Sequence, residues 1–208
     1  MTRPTSGADI RLRAAGCRLL LEKGITRLSV RETCRAAGIN TGIFHYYFGS
    51  REEFLKAVMK DIYSDFMANF QASISTGDTP RARLKNALVE VGKFARTIRP
   101  AAPMLFTDVL YGNKEAFAFM KENFTAHIGL ITALVSECRP SSSLKQYSVP
   151  FIIGSLVPAM IFPALISGEL RRKANKMCGL SMEEIIKETL SDSGIEARAE
   201  AAVRGIGL

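Results

Sequence analysis

Apolar residues recur along most of this chain at spacings of three and four, the period of a helix buried on one side. The longest stripe runs Leu55, Val58, Ile62, Phe66 and Phe70, widened by Phe54, Met59, Tyr63 and Met67. It predicts a long helix opened by Ser50, with Glu53 completing a capping box. Leu84, Leu88, Val91, Phe94 and Ile98 predict the next, which starts at Pro80 and stops before Pro100. A short helix is expected over 103–111. A long one is expected over 114–138, with Phe117, Met120, Phe124, Ile128, Ile131 and Val135 on one side. Ahead of all these, Ser6 with Asp9 opens a first helix. Its inward face is read as Ile10, Ala14, Cys17, Leu20 and Leu21, and Gly24 ends it. Ser181 with Glu184 starts a further helix through Leu190, and Ile195 to Arg204 forms the last. Residues 1–8 read as a flexible basic arm and 140–143 as a loop. No stretch alternates well enough for a strand, so the fold class is all-α.

Residues 146–168 carry no charge and are long enough to raise a membrane span. Pro150, Pro158, Pro163 and Gly154 argue instead for a kinked helix hidden on all sides, in a core and a subunit interface together. No membrane association is expected.

Between the first helix and the long stripe lies SVRETCRAAGINTGIFHYYF, residues 29–48. Ser29 and Glu32 form a capping box, and Val30, Cys34 and Ala37 fall at helical spacing. Gly38 supplies the positive φ that ends a helix, Ile39 plugs the turn, and Asn40 caps a second helix over 41–48. Two short helices joined by a tight Gly-containing turn make a helix-turn-helix. In that motif the second helix enters the major groove of double-stranded DNA, its first residues against base edges.

Charge sharpens this picture. Formal net charge is +8, and residues 1–51 hold nine Arg or Lys against three acids, so most of the excess lies on the segment with the motif. The cysteines at 17, 34, 138 and 178 form no CxxC pair and only two His exist, which speaks against a metal site. Cys17 and Cys34 read as packed thiols. The N-terminus lacks the apolar run of a signal peptide, so a cytoplasmic protein is expected.

The stretch from about Asp9 to Ile62 resembles the tetracycline-repressor (TetR) family of bacterial transcription regulators. The resemblance rests on AAGCRLLLEKG (14–24) and LSVRETCRAAGINTGIFHYYFGSREEFLKAV (28–58). The family commonly has Thr or Ser, then Leu or Ile, then Tyr where this chain has Ile43, Phe44 and His45, and Lys where it has Arg51. The resemblance implies an N-terminal three-helix DNA-binding domain, residues 1–52, and a larger helical ligand-binding and dimerisation domain, residues 53–208. It implies a homodimeric regulator, usually a repressor, that leaves operator DNA when a small-molecule effector binds.

Candidate DNA contacts follow. Arg31 and Arg51 are candidate phosphate contacts, with solvated surface as the alternative. Thr41, Gly42, Ile43 and His45 occupy the front of the second motif helix; Gly42 permits close approach and Ile43 suits a thymine methyl. Tyr46 falls at a family position that meets phosphates, and Tyr47 at one that also packs on the first helix. Ser29 and Asn40 cap, and can bind phosphate oxygens as well. For an apolar effector the candidate cavity residues are Met104, Phe106, Phe117, Met120, Phe124, His127, Met160 and Phe162, with ordinary core as the alternative. No cofactor is implied. Two other functions stay open: a helical small-molecule carrier or scaffold that has lost operator binding, and an enzyme, for which no nucleophile, phosphate-loop or metal spacing argues.

Overall fold

The computed structural model describes residues 7–25, 28–138, 147–173, 176–177 and 179–207. Residues 1–6 of the expected arm, the Ser6 cap, the 140–143 loop and Cys178 lie outside the described residues, while Ala8, also read as arm, is the buried first residue of the first helix. Three helices come first: α1 (Ala8–Lys23), α2 (Val30–Ala37) and α3 (Thr41–Phe48). The long α4 (Arg51–Ser75) carries the chain to α5 (Pro80–Thr97), α6 (Ala102–Leu110), α7 (Lys114–Cys138) and α8 (Val149–Lys173). After α8 come α9 (Met182–Leu190) and α10 (Asp192–Gly205). The fold is all-α, with an N-terminal helix-turn-helix and a larger helical body behind it. One small departure is a hairpin between α8 and α9. There β1 (Lys176–Met177) pairs antiparallel with β2 (Leu180–Ser181), turned by Gly179 at φ 82°.

Two apolar cores share α4. The first holds Leu12, Leu19, Leu20, Leu28, Phe44, Phe54 and Val58, and it extends to Ile98, Ala101, Leu105 and Ala116. The second holds Phe66 and Phe70 of α4 with Leu84 and Leu88 of α5, Ile131 of α7, Leu156 of α8 and Ile195 of α10. The α4 stripe expected from the sequence is therefore the spine of both.

The inward face of α1 differs from expectation. Ile10 is 63% exposed and Ala14 is exposed, while Leu12, Ala15, Gly16, Leu19 and Leu20 are buried. Gly16 is the reason. A Cβ there would stand 2.4 Å from Phe54 Cζ and 2.7 Å from Val58 Cγ2, so the missing side chain is what lets α4 lie against α1. Gly92 plays the same part in the second core, where a Cβ would come within 2.7 Å of Ile195 on α10.

Three caps match the expected serines, but only one is a full box. Ser29 Oγ accepts from Glu32 N and Ser50 Oγ from Glu53 N, each at 3.1 Å. The carboxylates of Glu32 and Glu53 turn instead to Lys23 and Lys56. At α9, Ser181 and Glu184 cap one another reciprocally.

Helix α8 contains Pro158 and Pro163, each of which removes one backbone hydrogen bond. Residues 149–168 are long and apolar enough to cross a membrane, yet within one chain they are not hidden on all sides. Ile152, Leu156, Met160 and Ala164 are buried, while Phe151, Gly154, Ser155, Pro158 and Phe162 form an exposed stripe.

Candidate functional site

The turn between α2 and α3 is built from local chemistry. Gly38 adopts φ 66°, ψ 37°, and Ile39 N donates to Cys34 O at 2.9 Å, which closes α2. Asn40 Oδ1 then accepts from Ile43 N at 2.9 Å and opens α3. Underneath, Phe44 is fully buried, with its ring 5.0 Å from Phe54 and 5.5 Å from Phe48. Burying a phenylalanine this completely is worth about 1.5–3 kcal/mol. One side of the eight-residue helix is thus committed to support.

The other side is not. Thr41, Gly42, His45 and Tyr46 are exposed, Tyr46 at 67%, and Ile43 and Tyr47 are half-buried. Tyr47 lies edge-on to Tyr46 at 5.2 Å and also meets Phe48. His45 Nδ1 bonds Gly49 O at 2.9 Å, which pins the ring and leaves Nε2 as its remaining polar atom. Arg31 is exposed on α2 beside Ser29, and Arg35 is exposed on the same helix. The ion pair of Lys23 with Glu32 neutralises one charge of the face; the hydrogen bond from Lys23 holds the Glu32 carboxyl below its ordinary range.

Arg51 behaves differently from a free phosphate ligand. Its Nε donates to Leu28 O at 3.0 Å and one terminal nitrogen to Ile25 O at 2.6 Å. The guanidinium ties the loop before α2 to the start of α4. Its position three residues past the motif gave no hint of this, because the carbonyls it binds lie 23 and 26 residues earlier.

Behind the motif, a cavity of about 210 Å³ opens between α5, α6, α7 and α8. Of the candidate effector residues, Phe106, Met120, Phe124 and His127 line it. Met104, Phe117 and Phe162 do not: they are 37%, 59% and 57% exposed. Met104 lies two residues from both cavity-facing Ala102 and Phe106, so it points roughly the opposite way round α6. Phe162 follows cavity-facing Ile161 and belongs to the outer stripe of α8. Met160 is buried but packs in the second core, its Cε about 3.0 Å from where a Gly92 Cβ would stand. Missed entirely was the α5 wall of Val91, Phe94, Ala95 and Ile98, with Val157, Ile161 and Leu165 of α8 opposite. The α5 stripe had been visible as apolar, but periodicity does not separate a packed face from one that borders a void.

His127 is the polar group of this lining and is 5% exposed. Its Nδ1 lies 3.0 Å from the Tyr63 hydroxyl. Rings of Phe66, Phe70 and Phe124 stand within 5.2–6.2 Å of the imidazole. Burial pushes the His127 pKa down to about 4, so the ring is neutral at pH 7, and burial raises that of Tyr63. The thiols of Cys17, Cys34 and Cys138 are chemically quiet. Cys17, whose Sγ donates to Val58 O, is pushed up to about 11 by burial and by Asp61 and Asp65, and burial raises Cys34 and Cys138 as well.

Comparison with known proteins agrees with this geometry. Residues 12–58 match the model of bacterial regulatory proteins of the tetR family. The HTH-type transcriptional regulator BetI of Rhizobium meliloti is 29% identical over 86 residues, which is 41% of this chain and 42% of that protein. The chain thus spans less than half the length of this curated relative. Two solved structures share the fold over nearly the whole chain. A TetR transcription regulator from Haloarcula marismortui superposes with a TM-score of 0.69 at 18% identity, covering 97% of this chain and 99% of that one. FadR from Bacillus subtilis, in complex with stearoyl-CoA, superposes with a TM-score of 0.66 at 14% identity, covering 95% and 98%.

Proposed function

We propose that this chain, whose residues 12–58 match the tetR family of bacterial regulatory proteins, is a cytoplasmic, sequence-specific DNA-binding regulator of that family, a homodimeric repressor released by a small, mostly hydrophobic effector. The observation that carries this reading is the two-sided build of α3. Phe44 anchors one side, and Thr41, Gly42, His45 and Tyr46 stand exposed on the other. A helical carrier without operator binding has no use for such a face.

In this reading residues 1–52 are the DNA-binding domain and 53–208 the effector and dimerisation domain. Thr41, Gly42, Ile43 and His45 read base edges, and Arg31, Tyr46 and the cap residues Ser29 and Asn40 meet phosphates. Tyr47 buttresses Tyr46. Arg51 contributes by fixing the loop before α2.

The dimer face is the exposed stripe of α8 together with Ala197, Ala201 and Gly205 of α10, which recur every fourth residue and are exposed. Small residues at that spacing let two helices approach closely, and the stripe of Phe151, Pro158 and Phe162 supplies apolar area. Two reading helices held at a fixed separation can enter successive major grooves only if that separation matches a helical turn, roughly 34 Å. An effector releases DNA only by as much as it prefers another separation.

Helix α6 is the connection. Ala102 and Phe106 border the cavity, while Ala101 and Leu105 belong to the core beneath the motif. The test is fluorescence anisotropy with DNA from upstream of the protein's own gene against a scrambled duplex. Tight, sequence-dependent binding supports the reading; equal binding to both overturns it.

A further inference from the structure

The cavity wall combines residues of four helices, and none of its lining residues is charged. Its polar member, His127, has one ring nitrogen already engaged, because the Tyr63 hydroxyl sits 3.0 Å from Nδ1. The direction of that bond fixes what the other nitrogen can do. A phenol O–H is a stronger donor than a neutral imidazole N–H, and an imidazole nitrogen is a stronger acceptor than a phenol oxygen. Tyr63 therefore donates to Nδ1, and the single proton of the neutral ring resides on Nε2. That the ring is neutral follows from its apolar surroundings, which disfavour the imidazolium.

We propose that the effector is a small uncharged molecule with an apolar body and one hydrogen-bond acceptor, such as a ketone, ester or ether oxygen, which accepts from His127 Nε2–H inside the cavity. This rests on the cavity being the effector site. An occupant without an acceptor leaves the N–H unpaired in an apolar chamber. A carboxylate loses its hydration and meets no cation in the lining. An apolar cavity of about 150 Å³ holds benzene, so a site of this size suits a compact ligand on the order of ten non-hydrogen atoms rather than a long acyl-CoA.

Three probes of matched shape separate these requirements: acetophenone, ethylbenzene and benzoate, titrated into the full-length protein by calorimetry. Acetophenone is expected to bind at least about tenfold more tightly than ethylbenzene, the gap closing in His127→Leu while ethylbenzene binding persists. Equal affinities for the first two in the wild type overturn the acceptor assignment and leave the cavity reading standing. Preference for benzoate overturns the uncharged class. Failure of all three to bind overturns the cavity reading, and the proposal with it. Nitrogen-15 NMR of the wild-type imidazole provides a check independent of any variant. A protonated Nε2 with a bare Nδ1 is expected, and a protonated Nδ1 overturns the assignment.

Discussion

Gly24 lies so close to Pro100 that a Cβ on it would stand 2.5 Å from the Pro100 carbonyl oxygen. Gly24 is the C-cap of α1, at φ 80°, and Pro100 is in the turn between α5 and α6. The contact joins the helix-turn-helix to the segment that leads into the cavity wall. Gly24→Ala meets both a forbidden φ and a backbone atom that cannot swing aside. It is expected to cost about 1–3 kcal/mol in urea unfolding. A loss under about 0.5 kcal/mol, the range of ordinary surface changes, would mean that the contact is not formed in solution.

Arg51 offers a second stability test. Its guanidinium serves two backbone carbonyls: in Arg51→Ala the Leu28 oxygen loses its donor, while Ile25 O keeps the N–H of Leu28 at 3.3 Å. Charged hydrogen bonds to partly buried acceptors lead to an expected loss of about 1–3 kcal/mol. Were the residue only a phosphate ligand, Arg51→Ala would weaken DNA binding and leave the urea midpoint unmoved.

Arg31→Ala and Tyr46→Ala should instead leave stability within about 0.5 kcal/mol of wild type, because both side chains are exposed. Both should weaken operator binding. For Arg31→Ala the slope of log affinity against log salt should fall by about 0.9 per chain. An unchanged slope would remove Arg31 from the phosphate contacts.

Acid should unfold the protein partly through His127. Its folded pKa is about 4, below the ordinary value near 6.5, so the unfolded chain takes up a proton that the folded chain refuses. Stability is then full above about pH 6.5 and declines as pH falls toward 4, by up to about 3 kcal/mol over the whole interval. Glu200 adds a loss lower down. Its hydrogen bonds from Arg81 and Lys85 hold its pKa near 2, so its contribution fades only below about pH 4.5. Urea curves at pH 7, 5.5 and 4.5 should converge for His127→Asn and diverge for wild type. Equal pH slopes would place the titrating group elsewhere.

Assembly should depend on the outer stripe of α8. Phe162→Lys puts a charge on that face without touching the cavity, since the side chain is 57% exposed. Sedimentation should report a monomer with a native helical spectrum. A persisting dimer would move the interface to another surface.

Much of this molecule was readable from side-chain order alone. The bounds of α3 and α7 and the Pro80 start of α5 needed only caps, periodicity and proline. What failed had a common origin. Gly16 has no hydrophobic signature, so the true inner face of α1 looked weaker than the one through Ile10 and Ala14. The clamp of Arg51 joins residues far apart in sequence. The cavity is defined by space left between four helices, and Phe117 shares the face of Met120 and Phe124 yet falls outside it. The two-residue strands of the hairpin are too short for any alternation to register.

The way α3 is fastened has an evolutionary corollary. Its hold on the body passes through Phe44 and Phe48, while positions 41, 42 and 46 owe the fold almost nothing. Those three sites can be exchanged wholesale without re-solving the packing problem. Under the proposed function, a lineage built on this scaffold is free to acquire new addresses on a genome while keeping its architecture intact.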